Sequence, residues 1–182
     1  MRVRQRVGAQ LEIAGALAAV LEWSAMEPTL RRARTSDAVE IQRLIKAYAD
    51  RGQMLARSLS EIYDNLRDFF VVEDAAGLLG CAACHVTWED LAEVKCMAVR
   101  ADRQGQGWGR KLLEACIEDA ASIGVNRAFV LTYVPEFFER RGFQRIEKSD
   151  LPQKIWSECV RCVHFPDCGE IALTFDLQDA GQ

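Results

Sequence analysis

Arg103-Gln104-Gly105-Gln106-Gly107-Trp108-Gly109-Arg110 places three glycines in five positions, between an apolar run and a run with helical spacing. Glycine lets backbone N–H groups turn inward, and a helix N-terminus adds partial positive charge. The segment therefore reads as a cradle for a phosphorylated ligand, a pyrophosphate above all. A dinucleotide fingerprint needs Gly-x-Gly-x-x-Gly, whereas Gly105-x-Gly107-x-Gly109 has a different spacing. A nucleotide P-loop would end in Lys-Ser/Thr, but Gly109 is followed by Arg110-Lys111-Leu112. On the loop alone, a glycine-rich turn without a ligand remains the alternative.

Upstream of the loop, Leu91 to Val99 predicts a strand. Before it, Phe69 to Val72 and Leu78 to Val86 predict two arms of a hairpin around Glu73-Asp74-Ala75-Ala76-Gly77, with Trp88-Glu89-Asp90 as the next break. Leu30 to Arg34 alternates as a first strand would. Thr35-Ser36-Asp37 then offers N-cap chemistry ahead of Ile41, Leu44, Ile45 and Tyr48 at helical spacing. A second helix is expected from Ser58, with Ile62 and Leu66 inward. Downstream of the loop, Leu112, Leu113, Cys116, Ile117 and Ala120 mark one face of a helix that Gly124 should stop. Ala128 to Thr132 predicts a strand, Glu136 to Arg140 a short helix ended by Gly142, and Ile171 to Leu177 a closing strand. The pattern is mixed α/β, a central sheet with helices packed on it.

The bulk properties narrow the function classes. A chain of 182 residues fits one domain with a sizeable core. Its net charge of −4 gives no reason to expect a nucleic-acid partner, so any phosphate must be held locally. Arg2, Arg4 and Arg6 precede a short apolar stretch, Ile13 to Leu21, bracketed by Glu12 and Glu22. The stretch is too short to span a bilayer, and no secretory cleavage box follows. Residues 1–26 are read as an extension or extra helix, with Met26 an alternative start, and 27–182 as the domain. Cys81, Cys84, Cys96 and Cys116 sit in apolar runs, as reduced thiols do, which favours a cytoplasmic setting. Cys159, Cys162, His164 and Cys168 form a compact cluster that could hold zinc as a Cys₃His site; buried or redox-active thiols are the alternative.

The loop resembles the acetyl-CoA signature of the GNAT acetyltransferases, Gln/Arg-x-x-Gly-x-Gly/Ala, at each defined position from Gln104 to Gly109. LAEVKCMAV is similar to that family's pantetheine-binding strand, and Glu136 to Phe143 to its late helix with a Gly-Phe ending. Three motifs in this order cover roughly residues 29 to 177. The resemblance implies the GNAT fold, a mixed, mostly antiparallel sheet flanked by helices, and acetyl-CoA as co-substrate. It implies contacts from Met97, Ala98 and Val99 and from Gln104, Gly105, Gln106, Gly107, Trp108, Gly109 and Arg110. RRARTSDAVEIQRLIKAYA, Arg57-Ser58, Leu79 to Ala83, LAEVKCMAV and FVLTYVPEFFERRGF further resemble N-acetylglutamate synthases, in their short stand-alone form.

That narrower resemblance implies a free amino acid, L-glutamate, as acceptor, in arginine biosynthesis. Glu93 holds the position of a glutamate base, four residues before Met97, and could take a proton directly or through water. Backbone N–H groups near Cys96 and Met97 are implied as oxyanion donors. Arg57 aligns with a carboxylate-binding arginine, and a bidentate fork suits that task. Lys95, two residues from Glu93, shares its strand face and is a second candidate anchor. The tyrosine that many family members use for the leaving thiolate is Phe138 here, so Tyr133 is the nearest substitute. The long form's C-terminal substrate-binding arginine and serine have no match before Ile171. A homodimer is compatible with this reading. Another small amine, a protein N-terminus, or acetyl-CoA sensing without catalysis are the competing functions.

Overall fold

The computed structural model describes residues 27–152 and 168–177. The expected extension 1–26 lies outside them, as do Cys159, Cys162 and His164 of the cysteine cluster. Seven strands form one sheet in the order β1-β2-β3-β4-β5-β7-β6. They are β1 (Thr29–Arg32), β2 (Phe69–Asp74), β3 (Gly77–Trp88), β4 (Leu91–Val99), β5 (Arg127–Thr132), β6 (Gln144–Ile146) and β7 (Ile171–Asp176). β4 and β5 pair parallel; every other neighbouring pair is antiparallel. β3 runs on through Trp88, and the turn that follows takes only Glu89 and Asp90. β6 was not anticipated, since three residues are too few to carry a period.

Helices cover both faces. On one lies α3 (Trp108–Ser122), whose Leu112, Leu113, Cys116 and Ala120 pack on Phe70, Val72, Ala82 and Val94. Its approach to the sheet is close at Gly80, where a Cβ would stand 3.0 Å from the Ala98 carbonyl and 3.1 Å from Leu112. On the other face, α1 (Ala38–Ala49) and α2 (Leu59–Asp64) set Ile41, Ile45 and Ile62 against Phe69, Val71, Cys81 and Ala83. Ser58 caps α2 through a reciprocal pair with Glu61. Asp37 behaves differently from the expected N-cap. Its carboxylate accepts from the Arg34 N–H within a 3₁₀ turn and is gripped by the Arg31 guanidinium.

The parallel pair β4–β5 decides where the site lies. Pairing is confined to Leu91, Ala92 and Glu93 against Arg127, Ala128 and Phe129. Beyond Glu93 the two strands part, and the sheet opens into a wedge between them. The short helix α4 (Pro135–Glu139) follows β5 and buries Phe138 against Phe137 and Phe143. Proline at its start is suited to helix entry, because its missing N–H has no partner there in any case.

Candidate active site

The glycine loop is built as the sequence predicts. Gly105 and Gly107 have φ of 74° and 86°, in the left-handed region, and a Cβ at either would meet no atom within 4 Å. Their conformation turns successive N–H groups into a concave nest. Gly107 precedes Trp108, the first residue of α3, with no side-chain cap and no acidic residue in the first turn. The helix's leading N–H groups are thus left for a ligand. A Cβ on Gly109 would rest 3.4 Å from the Phe137 ring, an ordinary contact. Gln104 ties the loop down: its Nε2 donates to the Tyr48 hydroxyl at 2.6 Å, and that hydroxyl donates to the Val99 carbonyl. Trp108 Nε1 is buried without a hydrogen-bond partner.

A cleft of about 1480 Å³ runs from this loop into the β4–β5 wedge. Met97 and Val99 line one wall and Val130, Leu131 and Thr132 the other. Such a slot, apolar along its arm and cradled by N–H groups at one end, fits a pantetheine chain with a pyrophosphate. Ala98 contributes only backbone to it, since its side chain is buried on the α1 side. Gln106 is exposed and lies outside the lining.

Halfway along β4 the strand carries an extra residue. The β3 ladder pairs Ala98 with Cys81 and Lys95 with Ala83, so three steps on β4 match two on β3. Cys96 takes φ of 53°, which a non-glycine residue adopts rarely. The bulge changes the parity of the strand. Val94 and Met97 both face α3, whereas Cys96 joins Ala98 on the α1 side. The ladder passes over Cys96 and Met97, the two positions named for oxyanion donors.

The bulge gathers the remaining candidates. Lys95 Nζ lies 3.3 Å from Glu93 Oε2, with side chains 13% and 15% exposed. Arg57, 17% exposed, reaches toward Glu61 at 3.6 Å. Burial pushes the Cys96 thiol up, while Arg57 and Lys95 pull it down and Glu93 adds to the rise. One sulfur thus feels all three charged groups. Cys96 remains a neutral thiol rather than a nucleophile. Tyr133 stands half-exposed at the cleft wall, and buried Phe138 offers no hydroxyl.

One group was missed, and one thiol of the expected cysteine cluster stands in the cleft. His85 lines the cleft opposite Glu93, and its Nδ1 lies 2.6 Å from Asp68 Oδ2. The β3–β4 register, had it been deduced from the hairpin, would have found it. At the far end, Cys168 lines the cleft with its Sγ 3.5 Å from Glu170 Oε2. No group of three metal-ligating side chains occurs among the described residues. Cys81, Cys84 and Cys116 are buried with thiols pushed up by burial, Cys84 to about 12.

Residues 65–145 match the model of the acetyltransferase (GNAT) domain. An uncharacterized N-acetyltransferase of Chlorobaculum tepidum is 40% identical over 153 residues, 84% of this chain and 99% of that protein. An amino-acid acetyltransferase of Mycobacterium tuberculosis is 36% identical over 137 residues, covering 74% of this chain and 78% of its own. Among solved structures, a Mycobacterium tuberculosis protein in complex with CoA superposes with a TM-score of 0.70 at 30% identity, covering 81% of this chain and 98% of that one. The N-acetylglutamate synthase of Neisseria gonorrhoeae, complexed with coenzyme A and N-acetyl-glutamate, gives a TM-score of 0.76 at 29% identity. That match covers 83% of this chain and 35% of the larger protein.

Proposed function

The chain belongs to the GNAT acetyltransferase family, and from that premise we propose that it acetylates the α-amine of L-glutamate with acetyl-CoA. The observation that carries the acceptor is the cluster at the β4 bulge: two cations, Arg57 and Lys95, around one candidate base, Glu93. A dicarboxylic amino acid brings two negative groups and one ammonium, and needs the complement of that set. The relatives named above, an amino-acid acetyltransferase and an N-acetylglutamate synthase, support the same class of acceptor.

Glu93 accepts a proton from the acceptor's ammonium, leaving a neutral amine that attacks the thioester carbonyl as the C–N bond forms and the C–S bond breaks. Lys95, with its Nζ 3.3 Å from Glu93 Oε2, orients that carboxylate in the cleft. Backbone N–H groups at Cys96 and Met97 face the charge that develops on the carbonyl oxygen. Arg57 grips a carboxylate through its planar fork and fixes the acceptor's register. Tyr133, on the cleft wall, is the candidate donor to the departing thiolate. The product, N-acetylglutamate, would feed arginine biosynthesis. No described helix is long and apolar enough to cross a membrane.

A thiol-release assay across the free amino acids and a few polyamines tests the reading directly. Glutamate, with glutamine second, is expected to give the highest kcat/KM. Release with another amine, and none with these two, would leave the family and remove the acceptor; no release with any amine would favour a sensor.

A further inference from the structure

We propose that Lys148 reads the side-chain carboxylate of the acceptor and so makes the site choose glutamate over glutamine. The inference rests on the acceptor reading above and names a residue on the wall that faces Glu93 and Lys95.

One layer of side chains under the wedge places Lys148 there. Leu91 packs with Phe129, Leu131, Ile146, Leu151 and Ala172 on one face of the sheet. Glu93 and Lys95 follow Leu91 at steps of two on β4, before the bulge, and stand on that same face. Lys148 comes two residues after Ile146 and opens a 3₁₀ turn, Lys148–Asp150. Cys168, Gly169 and Glu170 lead into β7, whose Ile171 pairs with Thr132 and whose Ala172 pairs with Ile146. The wedge thus has two rims, β4 with Glu93 and Lys95, and the entry to β7 with Lys148. Both line the same cleft.

Lys148 is fixed in place and keeps donors in hand. Its Nζ donates to the Cys168 carbonyl at 2.8 Å. The next residue, Gly169, rests against Tyr133, where a Cβ would stand 3.6 Å from the ring. An ammonium has three N–H groups, and the carbonyl takes one. No carboxylate of the described residues pairs with the other two. Glu170, on the same rim, accepts from the Cys168 thiol at 3.5 Å.

Chemistry assigns the ligand group. In an amino acid the α-carboxylate and the reacting amine share one carbon, so cations beside Glu93 suit the α-carboxylate. The side chain then extends across the wedge to the opposite rim. Among the described residues at this end, Arg57, Lys95 and Lys148 set positive charge against the carboxylates of Glu93 and Glu170. The cations exceed the acids by one. Glutamate, with two carboxylates and an ammonium, brings the one negative charge that completes the balance. Glutamine brings none, and a side-chain amine brings the wrong sign. Lys148 decides the choice, because without it Glu170 alone faces the side-chain carboxylate, and like charges repel.

The test is kcat/KM for glutamate and for glutamine, measured by thiol release on one preparation of each protein. The ratio of the two does not depend on how much of the enzyme is folded. Wild type is expected to favour glutamate about tenfold or more, the scale of one charge-assisted contact. Lys148→Gln keeps a donor for the Cys168 carbonyl and removes the charge, and should lower the ratio about tenfold or more. Lys148→Arg keeps the charge and should hold the ratio within about threefold of wild type. If Lys148→Gln gives no active protein, Lys148→Met carries the comparison. A ratio unmoved by loss of the charge would overturn the inference, because Lys148 would then only tie the chain at Cys168. Equal use of glutamate and glutamine by wild type would overturn it too. Acetylation of neither by wild type would remove the acceptor reading itself, and the inference with it.

Discussion

His85 stands directly opposite Glu93 in the β3–β4 ladder, with its Nδ1 2.6 Å from the Asp68 carboxylate. Residues opposed in a ladder share a face, so the imidazole and the candidate base look into the same cleft. Asp68 fixes one ring nitrogen and leaves Nε2 for the cleft, the arrangement that orients a proton-handling histidine. His85 is expected to act through Glu93 as a positioning residue. His85→Gln should lower kcat about tenfold or more, below the ~10²–10⁴-fold of a full acid–base group, and alter the shape of the pH–rate profile. Acetyl-CoA affinity should not move. Unchanged kcat together with an unchanged profile would show that His85 only packs.

Glu93→Gln keeps the shape of the side chain and removes the base. Turnover should fall by ~10²–10⁴-fold with acetyl-CoA affinity intact by calorimetry. A variant within about twofold of wild type would take Glu93 out of the reaction, since so small a change lies far below that range.

Arg57→Ala should raise the glutamate KM sharply and leave acetyl-CoA behaviour alone, because Arg57 lies at the bulge end of the cleft. Losing one partner of a desolvated ion pair costs about 3–5 kcal/mol, and Arg57 at 17% exposure should approach the lower figure. Arg57→Lys should recover only part of it, since a point charge lacks the planar fork. A glutamate KM that stays flat in both variants would assign the arginine to α2, through Glu61 alone.

The positions that were legible are those whose chemistry is local. Gly105 and Gly107 announce positive φ, Ser58 announces a helix start, and the largely apolar run from Leu91 to Val99 announces a strand. What could not be read depends on register. The extra residue at Cys96 inverts the facing of everything after it, and periodicity alone does not reveal such a shift. His85 was hidden for the same reason, because it becomes a site residue only once β3 is aligned on β4. Asp37 looked like a cap but is claimed by Arg31, six residues back, a contact that needs the turn to be built first.

Two glycines should separate binding from stability. Gly107→Ala forces a side chain into left-handed backbone at the cradle, so acetyl-CoA affinity should drop while little packing is disturbed. Gly80→Ala should do the reverse, since its Cβ would press on the Ala98 carbonyl at 3.0 Å and on Leu112 at 3.1 Å. Thermal melts and calorimetry on both variants check the pair, and identical behaviour would break the distinction.

Arg31 joins β1 to the 3₁₀ turn and to β2, and it gives the fold an acid-sensitive element. Its guanidinium donates to Asp37 Oδ2 at 2.6 Å and to both oxygens of Glu73 at 2.6 Å. The Arg31 hydrogen bonds hold both carboxyls below their ordinary values, Asp37 and Glu73 alike. A group whose pKa is lowered on folding stabilises the native state above its unfolded pKa, and loses that contribution as pH falls through the folded value. The window therefore opens near the ordinary carboxylate range, at about pH 4, and extends below it. Asp37 should dominate, because its side chain is 11% exposed against 37% for Glu73. Arg31→Met should cost about 1.5–3 kcal/mol at neutral pH, the range of hydrogen bonds to charged groups. Urea melts at pH 7 and at about pH 3 should show the gap between wild type and variant narrowing in acid, as the carboxylates protonate. A gap of equal size at both values would mean that Arg31 acts through the packing of its stem and not through its charge.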